Sequence, residues 1–331
     1  MKNVALITGI AGQDGSYLSE HLLDRGYEVH GVVRRQSTAE NQESRLDHLS
    51  GQVTTHYGDL LDVPSLTRIF LETKPTHIFN LGAMSHVRIS FDLPSFTIQS
   101  NSLGVLNMLE LYREFCPTAK FYQASSSEMF GNCVDEDGFQ RETTGFNPVS
   151  PYGCSKLLGY NLVRHYRNAY NLHACNGILF NHESPRRGSN FVTNKVVKTA
   201  VQIKLGLTDI LELGNMDSYR DWGHSKDYTR GMLDIINYEK ADDFVLSTGE
   251  THSVRDLCET VFNYLDMDYN DYVVQNPKYM RPEELNYLKG DCTKAKKILN
   301  WKPEYTFESM IHEMVDYWMN TLSINHMEMN S

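Results

Sequence analysis

Cysteine is scarce and scattered. Cys116, Cys133, Cys154, Cys175, Cys258 and Cys292 form no C-x-x-C pair and no tight Cys/His cluster, which excludes a disulfide framework and suggests no metal site. Positive charge is short as well. Lys and Arg number 31 against 42 Asp and Glu, a formal net charge of −11, so there is no general surface for gripping nucleic acid. Any anionic ligand must therefore meet basic residues gathered locally. No apolar run approaches the roughly 20 residues of a membrane-spanning helix. The run at 4–7 breaks at Thr8-Gly9 without a cleavage-like site, unlike a signal peptide. Internal repeats and low-complexity segments are missing too. These absences predict a soluble cytoplasmic protein with reduced thiols, and no nucleic-acid or membrane partner.

What is present is a chain of 331 residues, 40% hydrophobic and 22% charged, enough to bury a substantial core. Short apolar runs at 4–8, 27–33, 53–57, 77–81, 120–124 and 172–179 alternate with amphipathic stretches at 16–25, 63–72, 100–115 and 151–170. Runs of this kind, separated by helices long enough for right-handed crossovers, predict an α/β fold. The expected architecture is a Rossmann-type doubly wound parallel sheet of about six or seven strands. After Phe180 the rhythm changes to a Pro/Arg/Gly loop at 185–188, a helix near 191–204, a helix from near Thr293 and a last helix at 307–321. This predicts a nucleotide-binding domain over 1–180, a smaller α/β substrate-binding region over 181–321 from which elements can return to the first domain, and a fraying tail over 322–331.

The first strand runs into Gly9-Ile10-Ala11-Gly12-Gln13-Asp14-Gly15, a G-x-x-G-x-x-G turn opening a helix. Glycines let backbone approach a pyrophosphate, and the helix N-terminus offers free N–H groups. An NAD site places an acidic residue at the end of the second strand to hold the adenosine ribose. Here Arg34-Arg35 occupy that place. Guanidinium groups fork onto a 2′-phosphate that a carboxylate would repel, so NADP is expected. Asp59-Leu60, after the third strand, are placed either to cap the adenine edge or to make a plain turn.

Tyr152-Gly153-Cys154-Ser155-Lys156 is Y-x-x-x-K, with phenol and ammonium one helical turn apart on one face. The lysine charge and the positive ring of a bound nicotinamide are expected to lower the tyrosine pKa, fitting Tyr152 to act as a base toward a sugar hydroxyl. Upstream, Ser125-Ser126-Ser127-Glu128 end the fifth strand, and strand C-termini face the crevice of such a sheet. Simple carbonyl reduction needs only a hydroxyl here, so the Glu128 carboxylate supplies a second acid/base.

With those motifs the chain resembles the extended short-chain dehydrogenase/reductases, and within them the GDP-mannose 4,6-dehydratase family. The likeness covers nearly the whole chain, through Trp301. Its specific stretches are 9–17, Arg34-Arg35, 179–188, Arg220-Asp221-Trp222-Gly223-His224, Lys226-Asp227-Tyr228 and Arg281-Pro282-Glu283-Glu284. The family usually carries Thr at the place of Ser126 and Gln at the place of Met84. The resemblance implies that Tyr152 takes the proton of the mannose 4-hydroxyl and that Lys156 holds the nicotinamide ribose. Glu128 would remove the C5 proton and help the 6-hydroxyl leave, with Ser126 bonded to the 4-oxygen. Leu81, Ser85, Leu179, His182 and Arg187 fall to the NADP site, with His182 outside the catalytic set. Asn181, Arg187, Lys195, Arg220 and Arg281 resemble substrate-holding positions, Glu284 suits ribose hydroxyls, and Ser85, His86 and Glu183 line the sugar end. The implied substrate is GDP-mannose, the product GDP-4-keto-6-deoxymannose, and the assembly a homodimer or homotetramer in which loop 34–45 reaches a neighbour's cofactor.

Three rival readings remain. A nucleotide-sugar 4-epimerase has no use for Glu128, and a dehydratase of a thymidine-linked glucose resembles this chain but carries Asp-Glu where Ser127-Glu128 stand. A non-catalytic NADP sensor has no use for the Tyr152, Lys156 and Glu128 set. Further reduction of the product to GDP-rhamnose by NADPH is a secondary expectation, motivated by Ser126 and Met84.

Overall fold

The computed structural model describes residues 2–35 and 44–329. Strands and helices alternate through the first half as β1 (Val4–Thr8), α1 (Gln13–Asp24), β2 (Glu28–Val33), β3 (Val53–Tyr57), α2 (Val63–Thr73) and β4 (His77–Asn80). There follow α3 (Val87–Asp92), α4 (Pro94–Ile98), α5 (Gly104–Phe115), β5 (Lys120–Ser126), α6 (Pro151–Tyr170) and β6 (His173–Leu179). The inner strands of the sheet are largely buried because both of their faces are covered, whereas the edge strand β3 is polar and partly exposed. Along β1, Ala5 and Ile7 enter one core while Leu6 enters the core on the other side, the alternation of a strand buried between helical layers.

The second half runs β7 (Asn181–Glu183), α7 (Val192–Lys204), β8 (Leu211–Leu213), β9 (Tyr219–Arg220), β10 (Trp222–His224), α8 (Ser225–Asn237) and β11 (Asp243–Leu246). It ends with β12 (His252–Ser253), α9 (Val254–Tyr264), β13 (Val273–Gln275), α10 (Thr293–Leu299) and α11 (Phe307–Met329). The main sheet has seven parallel strands in the order β11-β6-β5-β4-β1-β2-β3. Its seventh strand is supplied from beyond Phe180. Asp243 anchors it beside β6 by pairing with Arg167 and accepting from Asn176 at 2.8 Å and Tyr160 at 3.1 Å. A separate core joins α7, α9 and α11 through residues such as Val197, Phe262 and Met314.

Connections leave β1 in one direction and β4 in the other, so a crevice opens at their C-terminal ends, where doubly wound sheets bind ligands. Polar side chains tie that edge together. Thr8 donates to Asn80 at 2.6 Å and accepts from the Gly82 N–H at 3.0 Å, while Asn80 donates to Gln123 at 2.8 Å.

Three helices differ from expectation. The first starts at Gln13, directly on the glycine turn, because Gly12 takes the extended conformation that precedes it. The helix expected from 100 is preceded by α4 and a π-helical turn at Gln99–Leu103. That turn aims Asn101 at the loop after β4, where its side chain accepts from the Met84 N–H at 2.8 Å and donates to the Met84 carbonyl at 2.9 Å. The last helix, expected over 307–321, extends to Met329, and 322–329 contains neither glycine nor proline to stop it. Asn330 and Ser331 lie outside the described residues. Among the described residues, no helix is long and apolar enough to cross a membrane.

Candidate active site

One cleft of about 1070 Å³ runs from the glycine turn past the ends of β4 and β5 to the elements of the second half. Gly9 has φ +73°, and a Cβ there would come 3.0 Å from the Gly82 backbone. A Cβ on Gly15 would lie 2.4 Å from the Gly9 carbonyl. The turn is therefore packed to a closeness only glycine permits, with the N-terminus of α1 facing the cleft. Gly9, Gly12, Gln13, Asp14, Gly15, Arg34, Asp59, Leu60 and Leu81 all line this wall. Asp59 also closes its own turn by accepting from the Leu61 N–H at 2.9 Å. Arg35 is exposed beside Arg34 and does not line the cleft, and residues 36–43 lie outside the described residues. Arg45 and Arg186 line it without having been singled out as site residues. Arg45 donates to the Ala11 carbonyl of the turn at 3.3 Å and to the Arg186 carbonyl at 2.8 Å.

Ser126 ends β5, and its hydroxyl accepts from the Glu128 N–H at 3.2 Å, starting a short 3₁₀ turn that folds Glu128 inward. Helix α6 starts at a fixed point because Ser150 caps it, accepting from the Gly153 N–H at 3.0 Å, with Pro151 in its first position. This puts Tyr152 in the first turn, beside Ser126 and Glu128. Lys156 lies one turn on, its ammonium 5.7 Å from the Tyr152 ring centre and donating to the Ala124 carbonyl at 2.9 Å. Burial pushes the Tyr152 phenol up to about 12, with the Glu128 charge adding to the rise and the Ser126 hydroxyl opposing it. Burial pulls Lys156 down to about 8. In the protein's own surroundings the phenol is therefore raised rather than lowered. The lysine points to a carbonyl, and desolvation acts against the charged form of both groups. Glu128 is buried, with one oxygen 3.5 Å from Arg281 and the other without a hydrogen-bond partner among the described residues.

Beyond this group the wall turns basic. Arg281 reaches Glu128, and its own N–H donates to Glu284 at 3.2 Å. Arg220 is buried, and burial followed by the neighbouring Arg281 charge brings it down to about 10. Lys195 lies 3.7 Å from the Tyr279 ring centre. Asn181 and Glu183 flank His182 on β7, with Glu183 paired to Arg187 at 3.0 Å and raised by its burial. Ser85 and Leu179 complete the expected set of lining residues, whereas Met84 does not line the cleft. Across the mouth, His86 contacts the Asn190 carbonyl at 3.2 Å.

The GDP-mannose 4,6 dehydratase family model matches residues 6–314. A human GDP-mannose 4,6 dehydratase is 47% identical, the alignment covering 95% of this chain and 91% of that protein. The Vibrio cholerae enzyme of that name is 44% identical, covering 95% and 93%. The chain belongs to the GDP-mannose 4,6-dehydratase family. Its fold is shared more widely. A UDP-glucose 4-epimerase of Thermus thermophilus, solved with NAD, superposes with TM-score 0.83 at 26% identity, covering 95% of this chain and 98% of that one. A dTDP-glucose 4,6-dehydratase of Bacillus anthracis gives TM-score 0.83 at 21% identity, covering 97% and 98%. Within the family's cleft, Arg45, Arg186, Asn190 and Tyr279 are lining residues that sequence reasoning passed over. The Arg186-Arg187 pair inside 179–188 was the available signal for one of them, whereas Arg45 and Tyr279 arrive from loops without local periodicity.

Proposed function

We propose that this chain is a hydro-lyase converting GDP-mannose to GDP-4-keto-6-deoxymannose, with NADP as its resident cofactor. The observation that carries the reading is the Glu128 carboxylate, buried beside Tyr152 and Ser126 with one oxygen free of hydrogen bonds among the described residues. An epimerase has no task for that oxygen, and a sensor has no task for the group. The glycine turn and the α1 N-terminus suit a pyrophosphate, and Arg34 and Arg45, with no acid at the end of β2, suit a 2′-phosphate. When bound, the nicotinamide supplies a hydride acceptor at C4 of the sugar and a hydride donor at C6. Tyr152 takes the 4-hydroxyl proton while Lys156 holds the adjacent ribose hydroxyls. Ser126 donates to the 4-oxygen. Glu128 then takes the C5 proton, acidified by the new ketone, and passes a proton to the departing 6-hydroxyl, releasing water. Arg220, Arg281 and Lys195 hold the diphosphate end, with Asn181, Glu183, Ser85 and Glu284 around the sugars and Leu179, His182 and Arg187 along the nicotinamide side.

A homodimer, or a homotetramer built from it, is part of this reading, supported by apolar residues exposed on neighbouring helices. Unpaired thiols at all six cysteines suit a reducing compartment such as the cytoplasm. The test is incubation of the purified protein with GDP-mannose and catalytic NADP⁺, followed by mass spectrometry and nicotinamide absorbance. Loss of one water with no net absorbance change is expected, and an isomerised sugar of unchanged mass would overturn the role of Glu128. Tighter binding of NADP⁺ than NAD⁺ is expected in direct titration. Excess NADPH in the same assay reads any further reduction to GDP-rhamnose.

A further inference from the structure

His182 lies where the two walls of the cleft meet, and both of its ring nitrogens are committed. Nδ1 is 2.7 Å from the Phe180 carbonyl oxygen and Nε2 is 2.8 Å from a carboxylate oxygen of Asp14. A carbonyl oxygen only accepts. So does an ionised carboxylate, and Asp14 sits in the first turn of α1, where a helix N-terminus favours the charged form, with its other oxygen accepting from the Ser225 hydroxyl. Two acceptors require two N–H donors, so the ring carries both protons and a positive charge. Burial alone would lower His182, and Asp14 reverses the direction. The ring also stacks on Tyr228 at 4.6 Å between centres, a favourable contact for a cation.

The pair belongs to a larger joint. Asp14 accepts from the Ser225 hydroxyl at 2.7 Å through its other oxygen. Gln13, its neighbour, donates to the His182 carbonyl at 3.0 Å and accepts from the Ser184 hydroxyl at 2.7 Å. The first two residues of α1 thereby grip 180–184 and the start of α8. A buried ion pair adds little net stability over an apolar pair of the same shape, but it fixes register, since any slip strands both charges. On one side of this joint lies the glycine turn, and on the other lie Asn181, Glu183 and Arg187.

We infer that His182 is a positively charged positioning residue, an imidazolium clamped between Asp14 and the Phe180 carbonyl that sets the nucleotide-sugar side of the cleft against the phosphate-binding helix. The inference rests on the cofactor and substrate reading given above. It makes the two sites interdependent through one proton. The charged and titratable groups around the pair are Arg187, Glu183, Tyr228, Tyr122, Tyr152 and Lys156. Loss of the proton would leave one nitrogen without a hydrogen to donate and release one end of the clamp, so both cofactor and substrate binding weaken on the alkaline side.

The test has two arms. Imidazole ¹⁵N spectra of the wild-type protein, with the His182 signals assigned by their loss in His182→Gln, are expected to show two protonated nitrogens at pH 8. A signal from one unprotonated nitrogen there would overturn the inference without any reference to activity. In the second arm, NADP⁺ dissociation constants and GDP-mannose kcat and KM are measured for Asp14→Asn, His182→Gln, His182→Phe and the Asp14→Asn/His182→Gln double variant, with circular dichroism as the check of folding. Each single variant is expected to weaken both NADP⁺ binding and kcat/KM for GDP-mannose by about tenfold, with the double variant no worse than the worse single. Additive losses, or a loss confined to the cofactor, would overturn it. Failure of wild-type protein to dehydrate GDP-mannose would sink the functional reading while leaving the spectroscopic result to stand by itself.

Discussion

A buried carboxylate with an unpartnered oxygen is a costly arrangement, because desolvation of that oxygen is not offset by a hydrogen bond. Among the described residues Glu128 is in that state, which separates its chemical value from its structural value. Glu128→Gln keeps the shape and removes the basic oxygen. Dehydration is expected to fall by about 10²- to 10⁴-fold with no drop in melting temperature, measured by water loss from GDP-mannose and by thermal unfolding. Destabilisation in step with the activity loss would make the residue structural instead. Lys156 gives a second test, with a sign that can be worked out. Its folded pKa of about 8 lies below the ordinary value of 10.5, so between those values the unfolded chain binds a proton that the native state does not, and stability rises with pH. Below about 8 the buried charge is a full penalty, on the order of 3 kcal/mol. Lys156→Met should therefore gain stability relative to wild type at pH 7 and lose most of that advantage by pH 10.5, as read by urea melts at each pH. A difference independent of pH would show that the lysine is better solvated than its surroundings imply. The sequence made these residues legible because Y-x-x-x-K is local, set by one helical turn. The direction of the tyrosine shift was not legible, since it depends on burial contributed by strands and loops far away in the chain.

The glycine turn shows how an element sets what a site can hold. A Cβ on Gly15 would meet the Gly9 carbonyl at 2.4 Å and the Ile10 Cα at 2.5 Å, both backbone atoms that cannot swing aside. On Gly12 the closest approach is 3.1 Å to the Gly9 carbonyl. Gly15→Ala is thus expected to displace α1 from the turn, abolishing NADP⁺ binding and lowering the melting temperature by several degrees, an effect of about 1 to 3 kcal/mol. Gly12→Ala should fold normally and weaken NADP⁺ by a smaller factor, both read by titration and differential scanning calorimetry. Equal effects of the two would mean that the turn adapts. The strand–turn–helix order, and hence this wall of the cleft, follows from apolar runs and glycine spacing read directly along the chain. The opposite wall does not. Its strands β8, β9 and β10 are two or three residues long, too short for alternation to register. The four-residue β11 is held at the sheet edge by the partners of Asp243 on α6 and β6, a tertiary cause with no local signature.

At the scale of the whole molecule, several large apolar side chains that do not line the cleft remain exposed. Leu93 (51% exposed), Phe96 (39%), Ile98 (39%), Leu103 (47%) and Leu158 (48%) lie on α4, its flanking turns and α6, elements that pack on one another. Several large apolar side chains exposed on adjoining helices mark an interaction surface. In the proposed homodimer, a second copy related by a two-fold axis would cover such a surface with itself and extend the helical packing already present. Each of these side chains is already about half covered, so burying the remainder is worth roughly 0.7 to 1.5 kcal/mol each before the cost of association. The double variant Leu103→Glu/Leu158→Glu places charges on this surface while touching neither the glycine turn nor the Tyr152 group. Sedimentation velocity at about 10 μM, a concentration at which a dissociation constant of 1 μM or less leaves mostly dimer, should give a dimer for the wild type and a monomer for the variant. NADP⁺ affinity should stay within about threefold of wild type, a difference of less than 1 kcal/mol. A variant that remains dimeric would locate the interface on another face, and a wild type that sediments as a monomer would remove the dimer from the functional reading.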